Sequence, residues 1–462
     1  MKTILSHLIE KYQGNVSRYT SYPTPDRWSN APDPVDFEHK LRSLYQRNEP
    51  LSLYIHIPFC QKLCYYCACN TMIRSKKHAP TDDYLDHLEL EFKQIADFAM
   101  GPLLVNQLHL GGGTPTFLES EQIQRLIEIC NRYFRFDDDS ECSFEADPST
   151  CTKEQIQLLY NLGFSRISFG VQDFDPEVLQ AVNRNNTPEQ IDDLVTYCRS
   201  IGYSSVNLDF IYGLPCQTTT SALNTVDRIT QIQPDRIALY NFAYLPDAKK
   251  HHKLLPADRL PDSFEKANMF TAVSQRLLHF GYQAIGMDHF ALPDDELSQA
   301  TRNGTLTRNF MGYTTRKSPH VLGTGLTGIS FLDNQYFQNS PDLKAYNEQL
   351  EAGNPPIVRS CSLTDRDIRC KYLIDDLMCN LRFDPEAYYL EFCEDVSEIL
   401  PNIVSHINGC IEDKLLSVDL EGNMPVYRAT TLGRIFLRSI AKGLDPYLAE
   451  DSDSTFLFSK AV

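Results

Sequence analysis

The chain has 462 residues, a hydrophobic fraction of 42% and a formal net charge of -18. This length can bury a sizeable core, and the ordinary composition excludes a disordered chain or a coiled coil. The negative charge disfavours broad attachment to nucleic acid or anionic lipid. Because the amino-terminal segment lacks a signal-type core and no stretch is long and apolar enough to span a bilayer, the sequence predicts a cytoplasmic protein. We also expect a monomer.

Residues 1–48 are predicted to form an N-terminal arm. Beyond them, short apolar runs alternate with amphipathic stretches at intervals of about thirty residues, the pattern of consecutive βα units. The predicted strands are Leu51–Ile57, Gln107–Leu110, Cys142–Ala146, Arg166–Val171, Ser205–Ile211 and Arg236–Phe242. The predicted helices between them are Tyr84–Ala99, Glu121–Phe134, Lys153–Leu162, Pro188–Ile201 and Ser221–Gln231. The fold class is therefore α/β, with an incomplete (β/α)6 TIM-type barrel over residues 49–340.

The second half of the chain changes character. After a helix at Asp262–Phe280, three turn-rich segments are interpreted as loops that return to the site: Gly286–Ala291, Asn309–Thr315 and Val321–Ser330. Residues 341–462 are predicted to form a mainly helical C-terminal domain with a small hairpin. Its elements are helices Thr364–Leu381, Asp384–Phe392 and Leu432–Ala441 and a hairpin, Leu415–Val418 with Val426–Ala429, around Gly422–Asn423. A winged-helix DNA-binding module is the alternative, but no basic recognition face is visible, so a lid or packing domain is preferred.

The strongest chemical signal is a group of cysteines directly after the first predicted strand, in HIPFCQKLCYYCACN. Three thiolates on one loop, from Cys60, Cys64 and Cys67, can bind three irons of a [4Fe–4S] cluster and leave the fourth iron open to another ligand. A structural zinc site usually pairs two short knuckles, and no second knuckle is present. Zinc and simple packing of the thiols remain the alternatives to the cluster.

A glycine run, GGGTP at Gly111–Pro115, follows the second predicted strand. Without Cβ atoms the backbone can approach a ligand closely, although a tight turn is the plainer interpretation. The CxxxCxxC spacing followed by this run resembles the radical S-adenosylmethionine (SAM) superfamily. The resemblance implies that the methionine end of SAM chelates the open iron, and that one electron cleaves SAM to a 5′-deoxyadenosyl radical while the protein binds and orients the reactants.

A narrower resemblance is carried by segments spread over nearly the whole chain: RYTSYPT (Arg18–Thr24), YIHIPFCQKLCYYCACN, LHLGGGTPT, SFGVQDF, NLDFIYGLP, GMDHFALPDDEL and NFMGYTT. In these segments the chain resembles the oxygen-independent coproporphyrinogen III oxidase family of that superfamily. Cys69 and the RYTSYPT segment distinguish the chain from related heme chaperones and heme-degrading methyltransferases. The family relationship implies oxidative decarboxylation of two propionates of coproporphyrinogen III to vinyl groups, which gives protoporphyrinogen IX. It also implies an external reductase or a flavodoxin- or ferredoxin-type electron donor.

Two alternatives stay open at this point. A heme-binding chaperone or heme-modifying radical SAM relative would share the cysteine loop. A noncatalytic iron–sulfur regulator would bind DNA in a salt-dependent way without consuming SAM.

The family resemblance further implies two bound SAM molecules. Residues expected at the cluster-bound molecule are Tyr54, Tyr66, Gly112, Glu145 and Ile329, and those at the second molecule are Gly113, Thr114, Gln172, Arg184, Asp209 and Ala243. Glu145 and Asp209 could instead cap the next helix, and Arg184 could be a solvated surface charge. Their common position near the carboxyl ends of predicted strands favours a ligand site.

Two positions depart from the family pattern: Met311 stands where glutamine is expected, and Ala68 where glycine is usual. Loss of an amide at position 311 weakens the expected second SAM site. Cys69, Met311 and Arg18 are candidates for residues near the substrate or the second cofactor. Arg18 and Arg308 are expected to bind substrate carboxylates, although Arg18 could also be a plain surface arginine.

Overall fold

The structure is a computed structural model that describes residues 2–12, 14–316, 318–422 and 424–450. Asn423, at the turn of the predicted hairpin, lies outside the described residues. Within those ranges no helix combines the length and the apolar character that a membrane crossing requires.

The strands and helices are as follows. The strands are β1 (Leu51–Ile57), β2 (Phe59–Cys60), β3 (Met72–Ile73), β4 (Leu103–Gly112), β5 (Phe134–Ala146), β6 (Arg166–Gln172), β7 (Ser205–Tyr212), β8 (Arg236–Asn241), β9 (Gln283–Ile285), β10 (His289–Ala291), β11 (Thr307–Asn309), β12 (Gly312–Thr314), β13 (Val321–Thr324), β14 (Ile329–Leu332), β15 (Gln335–Asn339), β16 (Ile357–Ser362), β17 (Arg382–Phe383), β18 (Leu416–Glu421) and β19 (Met424–Ala429). The helices are α1 (Lys2–Tyr12), α2 (Pro34–Arg47), α3 (Thr81–Ala99), α4 (Ser120–Tyr133), α5 (Lys153–Asn161), α6 (Pro176–Ala181), α7 (Pro188–Ile201), α8 (Thr219–Ile232), α9 (Ser263–His279), α10 (Glu296–Asn303), α11 (Leu343–Glu351), α12 (Asp365–Asn380), α13 (Pro385–Phe392), α14 (Val396–Ile399), α15 (Ile403–Glu412), α16 (Thr431–Ile435), α17 (Leu437–Lys442) and α18 (Pro446–Glu450).

The centre of the molecule is a parallel sheet in which β1, β4, β5, β6, β7 and β8 lie side by side in chain order. These are the six strands that the apolar runs predict, and α3, α4, α5, α7 and α8 connect them where helices were expected. On one face of each strand, alternate residues such as Leu53, Phe169 and Phe210 are fully buried against these helices. The predicted βα alternation is therefore confirmed.

Local caps explain where the helices begin. At α5 the Thr152 hydroxyl accepts from the Gln155 amide at 3.2 Å, and the Gln155 side chain accepts from the Thr152 amide at 3.1 Å, which is a reciprocal capping box. At α7 Thr187 caps the first turn by accepting from the Gln190 amide at 3.3 Å. The Gln190 side chain instead donates to a neighbouring loop carbonyl, that of Pro148, at 2.7 Å.

The three turn-rich segments interpreted as loops contain strands, so that interpretation is wrong. β10 pairs with β8, β11 and β12 form a hairpin, and β13 lies parallel to β1 with Tyr54 opposite Gly323. Gly323 permits close packing rather than a turn, because a Cβ there would overlap the backbone of Ile329. The complete order of the large sheet is β16-β15-β14-β13-β1-β4-β5-β6-β7-β8-β10-β9.

The C-terminal elements agree with the sequence in part. α12, α13 and the β18–β19 hairpin are present, and β17 adds a third strand to the hairpin. The predicted helix Leu432–Ala441 is divided into α16 and α17 at Phe436, and α15 was not predicted. β16 pairs with β15, so the large sheet continues beyond residue 340, where the sequence places a domain boundary. A second buried cluster joins Leu8 and Tyr22 of the N-terminal arm to helix α12.

Candidate active site

Polar side chains point into a cavity of about 120 Å³ from the second face of the parallel strands. They stand at every second position, because successive side chains of a strand point to opposite faces. The lining residues from these strands are Gln107 and His109, Glu141, Ser143 and Glu145, Arg166 and Ser168, Ser205, Asn207 and Asp209, and Arg236 and Tyr240. Only Glu145 and Asp209 of this set were singled out from the sequence. The alternation of polar and apolar residues within each strand is the signal that could have found the others.

Ion pairs close the end of this cavity that lies towards the amino ends of the strands. Arg166 contacts Glu141 at 2.5 Å and Glu296 at 2.7 Å, and Arg236 contacts Asp295 at 2.8 Å. These charges are compensated by one another and serve the fold. Glu145 lies towards the carboxyl ends, and within the described ranges it forms no ion pair with Arg or Lys.

Glu145 faces the cavity with 47% of its side chain exposed. Its carboxylate accepts a hydrogen bond from the Gly112 amide at 3.2 Å and lies 3.6 Å from Nε2 of His109. Burial tends to raise the pKa of Glu145, but the hydrogen bond and charge of His109 outweigh it, so the pKa lies below its usual value. An ionised carboxylate at this position can attract a cationic or hydrogen-donating ligand. His109 in turn stacks on Tyr54.

Asp209 lies on β7, two strands away from Glu145. Burial and the charge of Glu145 raise its pKa to about 7, although hydrogen bonds from Asn207 at 2.8 Å and Ser168 at 3.3 Å oppose the shift. Two neighbouring carboxylates with such different proton affinities indicate a functional site rather than two helix caps.

The cysteine loop connects β1 to β3 above these carboxylates. Cys60 ends β2, and its sulfur lies 3.5 Å from the hydroxyl of Thr114. Burial raises the pKa of Cys60 to about 12, so a bound metal would have to displace the thiol proton. A hydrogen bond from Cys69 holds the pKa of Cys67 below its usual value. The far end of the loop is anchored by His56, whose Nε2 lies 2.9 Å from the carbonyl oxygen of Asn70.

The spacing of the sulfur atoms bears on which metal they fit. Among the residues that the structure describes, no group of three ligand atoms that includes these cysteines lies mutually within 4.8 Å. A single zinc ion with Zn–S bonds of about 2.3 Å would hold its sulfur atoms within about 4.6 Å of one another. The thiols are therefore not gathered around a position for a single zinc ion.

The glycine run lies directly against the cysteine loop. Gly112 has a φ of +111°, and a Cβ there would lie 2.6 Å from the ring of His56. A Cβ on Gly113 would lie 2.8 Å from the carbonyl oxygen of Phe59. Both conformation and space require glycine here, so the run is more than a tight turn. The Thr114 amide donates to the same Phe59 oxygen at 3.0 Å.

The Arg184 guanidinium and the Gln172 amide both lie close to Gly170 of β6. Only 7% of the Arg184 side chain is exposed; its Nη1 lies 2.7 Å from Asp147 and 3.7 Å from the sulfur of Cys64. Arg184 is thus buried beside the thiols and is not the solvated charge of the alternative interpretation. Gln172 has a φ of +68°, and its buried amide oxygen has no hydrogen-bond partner in the described ranges. An unsatisfied buried oxygen costs about 1–3 kcal/mol, which is typical of a site that binds a ligand.

The other residues predicted to lie near SAM or the substrate are found in different parts of the structure. Tyr66 packs with the apolar cluster below the cysteine loop. Ile329 begins β14, two strands from Tyr54. Met311 lines the cavity that contains Glu145 and Asp209, whereas Ala243 lines a separate cavity of about 690 Å³ beside α1.

Arg18 and Arg308 meet at the N-terminal arm. Arg18 contacts Asp288 at 2.5 Å and lies over the ring of Tyr240. Arg308 donates to the Arg18 carbonyl oxygen at 3.1 Å. Two buried arginines that the sequence analysis missed, Arg434 and Arg438, line a cavity of about 30 Å³ with Arg18 and Asp288.

A parallel βα sheet whose first loop carries cysteines at the CxxxCxxC spacing, followed by a glycine run against that loop, defines a radical SAM enzyme. Residues 54–229 match the Radical SAM superfamily. Membership implies a [4Fe–4S] cluster and SAM as cofactors.

Similar proteins identify the family within the radical SAM superfamily. Oxygen-independent coproporphyrinogen III oxidases from Pseudomonas aeruginosa and Escherichia coli are each 39% identical, covering 96% of this chain and 95% of theirs. The one from Synechocystis is 38% identical and covers 99% of this chain and 98% of its own. The solved Escherichia coli coproporphyrinogen III oxidase superposes with a TM-score of 0.87 at 37% identity, covering 94% of this chain and 100% of that one. The chain belongs to the oxygen-independent coproporphyrinogen III oxidase family.

Proposed function

We propose that this enzyme removes carbon dioxide from two propionate side chains of coproporphyrinogen III and leaves vinyl groups, which gives protoporphyrinogen IX without oxygen. The observation that carries the proposal is similarity over almost the whole chain to oxidases of that name, together with the CxxxCxxC motif of the cysteine loop. Because the similarity includes the N-terminal arm and the C-terminal helices, it favours the oxidase over a heme-binding chaperone or a heme-modifying relative.

Cys60, Cys64 and Cys67 are the residues that would hold the cluster. A [4Fe–4S] cluster bound there would supply one electron for the reductive cleavage of SAM. The resulting 5′-deoxyadenosyl radical would take a hydrogen atom from the propionate, which would then lose carbon dioxide and pass one electron to an external acceptor. The chain itself positions the thiols through the short β2–β3 pairing and places the Arg184 cation beside Cys64. The glycine run leaves room next to the loop for the polar end of SAM.

Two SAM molecules are proposed, at the residues given by the family resemblance. Tyr54, Tyr66, Gly112, Glu145 and Ile329 would bind the first molecule. Gly113, Thr114, Gln172, Arg184, Asp209 and Ala243 would bind the second. The unpaired oxygen of Gln172 supports a second ligand, whereas Met311 contributes no amide to it and Ala243 opens to another cavity.

Substrate carboxylates are proposed to bind at Arg18 and Arg308. Four buried or half-buried arginines surround one carboxylate, Asp288, so this region carries excess positive charge in an otherwise acidic chain. Arg308 also lines a cavity of about 750 Å³ that is rich in aromatic side chains, large enough for a macrocycle. Cys69 remains a candidate near the substrate because it is the exposed cysteine of the loop.

Several broader predictions stay proposals as well. The shared polar cavity of the parallel strands supports an incomplete barrel. The division into arm, barrel and C-terminal domain remains a proposal, with the second boundary beyond β16 because β16 pairs with β15. We further propose that the enzyme is a monomer in the cytoplasm. An external reductase or a flavodoxin- or ferredoxin-type protein would reduce its cluster.

One experiment tests this function. The cluster is reconstituted without oxygen, reductant, SAM and coproporphyrinogen III are added, and 5′-deoxyadenosine and porphyrinogen products are followed together. Both should form only when Cys60, Cys64 and Cys67 are all intact. Formation of 5′-deoxyadenosine with heme, but no decarboxylation, would support the heme-modifying alternative instead. In the same assay Arg18→Ala should weaken substrate affinity, with the exposed Arg132→Ala as control; unchanged affinity would remove Arg18 from the substrate site.

A further inference from the structure

A basic surface surrounds the cysteine loop, although the chain as a whole is acidic. Between Glu49 and Asp82 the sequence has no Asp or Glu, whereas the 462-residue chain has 61 acidic residues. This stretch contains the whole cysteine loop and the exposed cations Lys62, Arg74 and Lys77. Positive charge is thus concentrated where the cluster would be held.

A second basic segment joins the first through a direct hydrogen bond. His251 lies in a short 3-10 helix, Lys250–Leu254, and its Nε2 is 2.7 Å from the carbonyl oxygen of Cys67. The helix carries two further exposed cations, Lys250 and Lys253. We name the exposed cations of both segments the basic collar: Lys62, Arg74, Lys77, Lys250 and Lys253.

The collar has the properties of an interface. In the part of the chain that the structure describes, none of its five side chains forms an ion pair, whereas nearby Lys76 and Arg259 pair with Glu119 and Glu177. Leu254, 59% exposed, provides an apolar contact among the charges. Cys69 is also exposed, so the cysteine loop itself reaches the surface.

We propose that the basic collar is the docking surface for an acidic one-electron carrier protein of the flavodoxin or ferredoxin class. The inference rests on the proposed function, because a cluster at these cysteines needs an electron from another protein. In the transfer the donor is oxidised by one electron and the cluster is reduced by one electron, and no covalent bond forms or breaks. The partner's acidic face meets the collar, and its redox group comes to lie over the cysteine loop.

The charge distribution explains why docking would be specific. The net charge of -18 repels an acidic donor from the chain as a whole, whereas the unpaired cations of the collar attract it. Complementary patches of this kind steer encounter and set orientation more than they add affinity. Binding should therefore be strongest at low ionic strength and should weaken when salt screens the charges, since the Debye length is about 10 Å at 0.1 M salt.

The test uses the reconstituted holoenzyme and an acidic flavodoxin as the probe. The dissociation constant is measured at about 20 mM and about 200 mM salt. The triple charge reversal Lys62→Glu, Lys77→Glu and Lys253→Glu should weaken binding about tenfold or more and remove most of the salt dependence. A matched control reverses three exposed lysines elsewhere, Lys93→Glu, Lys344→Glu and Lys442→Glu, and changes the net charge equally.

A second measurement separates docking from damage to the cluster or to catalysis. With dithionite as reductant, the collar variant should form 5′-deoxyadenosine as fast as the wild type; with reduced flavodoxin it should be slower. If the collar and control variants bind flavodoxin equally well, the docking proposal is overturned. The proposed function is unaffected by that result as long as dithionite still supports formation of 5′-deoxyadenosine. Binding of duplex DNA or anionic vesicles by the collar, without binding of flavodoxin, would also overturn it.

Discussion

Replacing Asp209 with Asn should stabilise the protein at neutral and alkaline pH while it weakens SAM binding. Burial and the charge of Glu145 raise the pKa of Asp209 to about 7, compared with 3.8 in an unperturbed aspartate. Between these two values the folded protein retains a proton that the unfolded chain has lost. Stability therefore falls as pH rises through this window and is lowest above about pH 7.

The size of the effect follows from the two pKa values. Asp209 lowers the free energy of unfolding by almost nothing below pH 4, by about 1.5 kcal/mol at pH 5 and by about 4 kcal/mol at pH 8. Asn has a similar shape and no charge, so Asp209→Asn should raise the free energy of unfolding by roughly these amounts. The gain comes from the avoided cost of a buried charge.

Urea unfolding of the metal-free protein, followed by circular dichroism at pH 5, 6.5 and 8, measures the gain. Asp192→Asn, at an exposed position on α7, is the matched control and should show none. SAM binding to the reconstituted Asp209→Asn variant should be about tenfold weaker, because a charged hydrogen-bond partner is lost. An equal gain at all three pH values, or a loss at pH 8, would refute the argument from burial; unchanged SAM binding would refute the ligand role.

Three further predictions concern the cysteine loop and its surroundings. Cys64→Ala should lose bound iron and its visible absorbance after reconstitution, while Cys393→Ala, at an exposed cysteine far along the chain, keeps both. Gly113→Ala should reduce iron content severalfold, because its Cβ would lie 2.8 Å from a backbone oxygen of β2. The control is Gly409→Ala, whose Cβ meets nothing within 4 Å. This control should stabilise its helix by about 1 kcal/mol in thermal unfolding. Met311→Gln should strengthen binding of the second SAM equivalent in calorimetry by about tenfold through a new amide; a stoichiometry and affinity identical to wild type would contradict a role for this position.

The central strands and the cysteine loop were predictable because their signals are local. Apolar periodicity identifies β1 and β4–β8, and the box of Thr152 with Gln155 marks the start of α5. The segment around Gly323 misled the interpretation, because glycines that allow close strand packing look the same in sequence as glycines that allow turns. The division of the last predicted helix at Phe436 likewise has no periodic signal.

The site residues also differ in whether a local sequence signal reveals their role. Arg184 looks like a surface charge until the fold brings it to Asp147 and Cys64. His109 is one of several polar residues of β4, and its relation to Glu145 depends on the pairing of β4 with β5.

By itself the sequence determined the order of βα units, the thiol donors and the class of chemistry, since each depends on residues that are close along the chain. The tertiary structure decided which side chains share a cavity: Met311 joins Glu145 and Asp209 there, and Ala243 does not. It also brought Arg18 to Asp288 across 270 residues. Contacts at such separations depend on how sheets and helices pack, and no local pattern of residue types encodes that packing.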